Sequence, residues 1–206
     1  MWLPPPPDGT AVCGGFDGSE NDDWTAIKLE TREGYIFTPR YGPNREPTIW
    51  KPKDWDGKIP RGQIHAAWAE IVSTYNLLRA YCDPGFHDET SYETEIEEWA
   101  TEWPHADGKP RFLTFPTTSS QRMYPAIRRF ESDLKWITQD GCPITEAHMR
   151  NARKIVARTG RTYTLGKPAH HQKIDAGVTT VICHEAAADQ RAEGWITEPD
   201  YAAVSY

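Results

Sequence analysis

Three aspartates stand where a carboxylate can do chemistry. Asp17 closes an apolar run inside Gly15-Phe16-Asp17-Gly18-Ser19. Asp83 closes another inside Tyr81-Cys82-Asp83-Pro84-Gly85, and Asp175 opens a helical stretch inside Lys173-Ile174-Asp175-Ala176-Gly177. Each has an ordinary structural reading on its own. Asp17 before Gly18 forms a turn, Asp83 before Pro84 initiates one, and Asp175 is a favourable charge in a first helical turn. Gathered without counter-charges the three would repel one another, and their assembly makes physical sense when divalent cations occupy it. Two Mg²⁺ or Mn²⁺ ions about 3.5–4 Å apart activate a water and stabilise the leaving oxygen in phosphodiester cleavage. That chemistry requires the chain to bring the three acids to one place.

The elements that would do so are legible in outline. Ala11 to Asp17 reads as a short buried strand, and Thr25 to Glu30 alternates with period two as a half-buried strand does. Arg32-Glu33-Gly34 is a tight turn into a third strand from Tyr35 to Thr38, giving an antiparallel meander. From Pro39 to Pro60 the prolines and Trp50 and Trp55 predict a long irregular loop. The apolar spacing from Ala66 to Leu78 predicts a helix, and Leu77 to Cys82 a fourth strand that stops at Asp83-Pro84-Gly85. Thr90-Ser91-Tyr92-Glu93 has the form of a capping box opening a helix to about Trp103. A fifth strand follows from Arg111 to Phe115, then a basic amphipathic helix from Gln121 to Ile137 and a break at Gly141-Cys142-Pro143. His148 to Val156 reads as helical, with a turn at Gly160, a short strand near Tyr163 and a last helix from Lys173 to about Ala188.

This order predicts an α/β fold, a mixed sheet of an antiparallel three-strand meander plus parallel strands, flanked by helices. RNase H-like folds are arranged in this way, as are the halves of actin-like sugar kinases. In an RNase H-like sheet, strands one and four are parallel neighbours whose C-terminal ends join Asp17 to Asp83. A helix packed across the sheet delivers Asp175 to the same spot.

The chain has 206 residues and a formal charge of −7, which alone argues against a polyanionic partner. The charge is unevenly spread. Residues 109–173 hold 13 basic against 4 acidic residues, whereas residues 1–108 hold 9 against 20 and residues 174–206 hold 1 against 6. A basic middle segment suits a surface facing a polyanion, and equally a solvated helical face. No apolar run approaches the roughly 18 to 20 residues of a membrane helix. The start, Pro4 to Pro7 and then Asp8, carries no secretory pattern, so residues 1–10 read as a proline-rich lead-in or linker and 11–206 as one domain. The cysteines (Cys13, Cys82, Cys142, Cys183) lie far apart and form no CxxC pair, the pattern of reduced, buried thiols in a soluble intracellular protein.

In order along the chain, these stretches resemble the C-terminal nuclease domain of the large terminase subunit of tailed bacteriophages, an RNase H-like domain. Gly15 to Ser19 with Asp23-Trp24-Thr25-Ala26 is similar to the first catalytic strand and its return. Tyr81 to Pro84 is similar to the second acidic motif and Lys173 to Ala176 to the third. Gln121-Arg122-Met123, Asp140-Gly141-Cys142-Pro143 and His148-Met149-Arg150-Asn151-Ala152 lie between them in order. The resemblance covers nearly everything beyond Thr10.

It implies a divalent-metal-dependent endonuclease, with two Mg²⁺ or Mn²⁺ ions, that cuts concatemeric phage double-stranded DNA in headful packaging and leaves a 5′-phosphate and a 3′-hydroxyl. Asp17, Asp83 and Asp175 would be the metal ligands. Its implied partners are DNA, the packaging ATPase domain, the small terminase subunit and the portal, in the host cytoplasm and with no membrane. The chain carries no GxxxxGK[ST] phosphate loop, so it cannot itself supply the ATP-driven motor, as expected of an excised domain or a split-gene product.

Candidates for phosphate contacts are Arg122, Arg128, Arg129, Arg150, Arg153, Lys154, Arg158, Arg161, Lys167 and Lys173. Asp22 and Asp23 are candidates for outer metal contacts or for turn solvation, and His148 and Asn151 share a helix face that touches DNA, supports the site or simply packs. His87 reads as an approach to the scissile phosphate or as an exposed loop residue. His170-His171 lacks the partners of a zinc site. Three other readings stay open: a junction resolvase of the same fold, an actin-like phosphotransferase, and a non-catalytic module docking to DNA or portal. The phosphotransferase needs a second homologous half that 206 residues do not provide.

Overall fold

A computed structural model of the chain describes residues 2–19, 23–85, 90–169 and 171–195. Its elements are β1 (Ala11–Asp17), β2 (Thr25–Thr31), β3 (Tyr35–Phe37), the short β4 (Arg40–Tyr41), β5 (Glu46–Pro47) and β6 (Ile49–Trp50), then α1 (Arg61–Thr74) and β7 (Asn76–Asp83). There follow α2 (Glu93–Glu102), β8 (Phe112–Thr114), α3 (Ser120–Asp133), β9 (Thr138–Gln139), α4 (Pro143–Asn151), β10 (Arg153–Val156), β11 (Tyr163–Gly166) and α5 (Asp175–Ala192). The main sheet runs β8-β7-β1-β2-β3-β9, with β6 also on β2. The β1–β2 and β2–β3 pairs are antiparallel, while β1–β7, β7–β8 and β3–β9 are parallel. This is the expected mixed sheet.

Helices cover both faces, and alternation along β1 decides what goes where. Val12 and Phe16 point into a core with Trp68 of α1 and Ile96 and Trp99 of α2. Cys13 points the other way, into a core with Ile127 and Phe130 of α3 and Val178, Val181 and Ile182 of α5. Burying side chains of this size contributes roughly 1.5–3 kcal/mol each. Between them sit Gly14 and Gly15, one facing each layer. A Cβ on Gly15 would lie 2.6 Å from the Thr179 carbonyl oxygen and 2.7 Å from the Cys183 nitrogen, so α5 rests directly on bare β1 backbone. Helix α5 is buried on nearly every side, as a helix between a sheet and other helices must be. Its far end is tied by a buried ionic network in which the His184 ring nitrogens face Glu30 (3.0 Å) and Asp133 (3.1 Å), and Arg191 bonds Glu30.

Several expectations change. The helix read from His148 to Val156 ends at Asn151, and Arg153–Val156 is a strand hairpinned to Tyr163–Gly166. β-Branched Ile155 and Val156 suit an extended chain, and the turn at Gly160 supplies the partner. The basic helix stops at Asp133, not Ile137, because the chain turns there to lay Thr138–Gln139 beside β3. The loop of residues 39–60 contains β4, β5 and β6, with Trp50 buried and its indole N–H donating to the Tyr41 hydroxyl at 2.7 Å. Helix α1 starts at Arg61, five residues before its first predicted position. The expected capping box does not open α2: Tyr92 is the N-cap and makes no side-chain cap bond, while the Ser91 hydroxyl, one residue earlier, accepts the Glu93 N–H at 3.2 Å.

The proline-rich lead-in is fastened to the body. The Leu3 N–H donates to the Asp140 carbonyl (2.7 Å), the Tyr35 hydroxyl donates to the Pro4 carbonyl (2.8 Å), and Arg40 stacks on Trp2. All four cysteines are free and buried. Among the described residues, no helix is long and apolar enough to cross a membrane.

Candidate metal centre

The parallel pairing of β1 with β7 places Asp17 directly opposite Asp83, with Phe16 opposite Cys82 just before them. Residues Cys13 and Tyr81 on these strands face α5, so alternation puts both aspartates on the α5 face as well. Asp175 is the first residue of α5, and that helix lies on this face. The three carboxylates therefore line one cleft of about 480 Å³, together with Gly18, Ser19, Asp23, Gly85, Thr117, Thr118 and Lys167.

Electrostatics mark the cleft. Burial, then Asp83, Asp175 and Asp23, hold the Asp17 carboxyl well above its ordinary range. Burial raises Asp83 as well, against hydrogen bonds from Thr117 and Gly85. Burial and then Asp23 push Asp175 up to about 6, opposed by its own N–H, the Trp24 N–H and Lys167. Asp23 behaves oppositely. Burial works to raise it, but hydrogen bonds from Lys167 (2.5 Å) and Lys173 (2.7 Å) outweigh that and hold it below the ordinary range.

A divalent cation suits this donor set. The ligands are hard oxygens, the carboxylates stand close enough to repel, and the Asp175 Oδ2 is buried with no hydrogen-bond partner. Among the described residues, no three His, Cys, Asp or Glu side chains are gathered into a preassembled cage. Carboxylates that repel would close on a cation only when it arrives.

The other sequence candidates scatter. Lys167 and Lys173 sit at the cleft through Asp23. Arg122 lies over Phe115 at 4.5 Å near the Tyr81 ring, and Arg128 is exposed on α3. Arg129 is engaged by Asp189 (2.8 Å) and Glu185 (3.4 Å). Arg150 pairs with Glu146 one turn earlier, and Lys154 with Glu131 at 2.7 Å. Arg153, Arg158 and Arg161 are exposed on the β10–β11 hairpin, which runs into the cleft at Leu165, Gly166 and Lys167.

His148 is a support. Its Nδ1 accepts the Ala176 N–H at 3.1 Å, capping α5 beside Asp175, and its ring packs on Trp24. Burial, then Lys28, Lys173 and Lys51, bring it down to about 4, which keeps the imidazole neutral and able to accept. The Asn151 amide donates to the Lys173 carbonyl at 3.0 Å. His171 is exposed, while Asp22, His87 and His170 lie outside the described residues. Sequence reasoning missed Thr117 and Thr118; the signal was their place just past β8, where parallel strands leave their C-terminal ends.

No protein-family model matches the chain. A curated relative, the Gene 13 protein of Mycobacterium phage D29, is 24% identical over 191 residues, covering 88% of this chain. The chain spans 30% of that relative's length. Among solved structures, the HK97 bacteriophage large terminase superposes with a TM-score of 0.61 at 16% identity, over 89% of this chain and 40% of that one. The large terminase nuclease of thermophilic phage G20c superposes with a TM-score of 0.59 at 13% identity, over 90% of this chain and 92% of that one. The same G20c nuclease with bound magnesium superposes at 0.54. The chain has the RNase H-like fold of large terminase nucleases.

Proposed function

We propose that this chain, folded as large terminase nucleases are, is a divalent-metal-dependent endonuclease that cuts concatemeric viral double-stranded DNA during genome packaging. The observation that carries the reading is the register of Asp17 on Asp83, with Asp175 opening α5 on the same face of the sheet. The magnesium bound by the G20c nuclease of the same fold supports it.

Asp17, Asp83 and Asp175 would hold Mg²⁺ or Mn²⁺, two ions in the full reading. When bound, such ions supply Lewis acidity at a scissile phosphodiester. The chain's own residues do the rest. β1 and β7 fix two carboxylates at one pleat, and His148 fixes the first turn of α5. Lys167 and Lys173 keep Asp23 ionised and bring positive charge to a cleft that would otherwise reject a polyanion. The exposed arginines of the β10–β11 hairpin extend that charge outward, and they rather than Arg129, Arg150 or Lys154 are free of acidic partners among the described residues. Cleavage leaves a 5′-phosphate and a 3′-hydroxyl.

Residues 11–206 form the nuclease unit and residues 1–10 its lead-in. The greater length of the phage relative supports a larger assembly, with a packaging ATPase domain, a small terminase subunit and a portal as partners in the host cytoplasm. Supercoiled plasmid incubated with Mn²⁺ or Mg²⁺ tests the reading. Nicking and linearisation are expected of the natural chain, and none with EDTA or after Asp17→Asn, Asp83→Asn or Asp175→Asn. Full activity in any of the three variants overturns the assignment. Metal-independent DNA binding without cleavage would instead indicate a docking module.

A further inference from the structure

We infer that Thr117 is the positioning residue for Asp83, holding its carboxylate so that one oxygen faces the cleft. This rests on the reading of Asp83 as a metal ligand. Thr117 lies three residues past β8, the parallel neighbour of β7, so its loop emerges at the same sheet edge as Asp83. The Phe115 N–H donates to the Cys82 carbonyl at 2.7 Å, which continues the pairing beyond β8 and fixes the loop against the end of β7.

From there Thr117 grips one carboxylate twice. Its N–H donates to Asp83 Oδ1 at 3.2 Å and its hydroxyl donates to Oδ2. The Gly85 N–H adds a third bond to Oδ1 at 3.3 Å. A carboxylate offers about four acceptor positions. Two are taken on Oδ1 and one on Oδ2, so the remaining capacity is on Oδ2 and Asp83 offers a cation a single oxygen. A carboxylate repelled by Asp17 would otherwise rotate away; two donors from one residue, one on each oxygen, prevent that rotation. Removing the hydroxyl leaves Oδ1 held by the two N–H groups but releases Oδ2, the oxygen offered to the cation, to swing about that anchor.

The test is Mn²⁺ binding to the whole chain, followed by calorimetry and by the electron paramagnetic resonance of free Mn²⁺, with no nucleic acid present. Thr117→Val, which keeps the shape and the N–H, is expected to weaken Mn²⁺ binding by about 10- to 100-fold, the usual cost of losing a group that orients a ligand. Thr117→Ser, which keeps both donors, is expected to stay within about threefold of the natural chain on that scale. Metal-free melting should be nearly unchanged in Thr117→Ser and fall by about 3–12 °C in Thr117→Val, the cost of one hydrogen bond to a carboxylate, with both variants folded. Natural affinity in Thr117→Val, or equal losses in Thr117→Ser and Thr117→Val, overturns the inference. If Thr117→Val does not fold, Thr117→Ala replaces it, and failure of both assigns Thr117 to stability and overturns the inference too. Asp83→Asn separates the two readings. Natural Mn²⁺ affinity in that variant defeats the metal site itself, whereas loss there with no loss in Thr117→Val defeats only the role of Thr117.

Discussion

Gly15→Ala should damage the site from a position that carries no chemistry. The added Cβ would stand 2.6 Å from the Thr179 carbonyl oxygen, 2.7 Å from the Cys183 nitrogen and 2.8 Å from its Cβ. Two of these are α5 backbone, which cannot swing aside as a side chain does. Ordinary contact begins at 3.4 Å, so α5 must retreat from β1 by about 0.8 Å. Overpacking of this kind costs about 1–3 kcal/mol. For a chain of this size each kcal/mol lowers the melting temperature by roughly 2–4 °C, so the expected drop is about 2–12 °C. Asp175 lies one helical turn before Thr179 and travels with it. A shift near 1 Å can cost about 100-fold in rate, so plasmid cleavage should fall on that order.

Gly14→Ala is the control on the opposite face. Its Cβ would meet only side chains, with Trp68 nearest at 3.1 Å, and should leave cleavage within a fewfold of normal. Scanning calorimetry and a cleavage time course, run on both variants, decide the matter. Equal melting and equal cleavage in the two would refute the direct seating of α5 on β1.

Further expectations concern the acids and their supports. Mn²⁺ affinity should fall as pH drops through about 6, where Asp175 takes up a proton, and calorimetry in buffers of differing ionisation enthalpy should show proton release near pH 6; constant affinity from pH 5 to 8 would contradict this. The folded pKa of Asp175 is raised, so its contribution to metal-free stability is present at low pH and lost as pH rises through 6. Asp175→Asn should therefore raise the metal-free melting temperature at pH 7.5, by an energy of up to about 3 kcal/mol; a lower melting point would count against the burial of a charged Asp175 beside Asp23. His148 has the opposite sign: its depressed folded value gives stability that is full above about 6.5 and shrinks as pH falls towards 4. Denaturant titrations should show the advantage of the natural chain over His148→Gln shrinking by about 2 kcal/mol between pH 8 and 5, and an unchanged gap would refute the neutral cap. Lys167→Ala should flatten the slope of log affinity for DNA against log salt by about one unit; an unchanged slope would remove Lys167 from the phosphate surface.

The acids were legible because their placement follows from local rules. Alternation along Ala11–Asp17 and Asn76–Asp83 sets the face, and strand order sets the neighbour, so Asp17 and Asp83 could be paired from the sequence. Their supports were not legible. Thr117 reaches Asp83 across 34 residues, His148 caps Ala176 across 28, and Lys167 meets Asp23 across 144. No local pattern encodes such contacts, because they arise only when loops converge at the sheet edge. The hairpin failed for a different reason. Four-residue strands beside a helix give too little periodicity, and Arg153-Lys154-Ile155-Val156 suits one turn of helix as well as one strand. The net charge misled in total and informed in part. Several bases of the middle segment are spent on acids of their own fold, Lys167 and Lys173 sharing the single Asp23 among them, which leaves the exposed Arg153, Arg158 and Arg161 of the hairpin and one net positive charge at the cleft.

In the proposed function, Asp17, Asp83 and Asp175 share divalent metal. A crystal soaked in Mn²⁺ and measured at a wavelength where manganese scatters anomalously tests it most directly. An anomalous peak is expected in the cleft within about 2.0–2.3 Å of an oxygen from each of the three, with Asp83 contributing Oδ2. A peak held by other residues, or none at saturating Mn²⁺ with the three carboxylates unmoved, would contradict it.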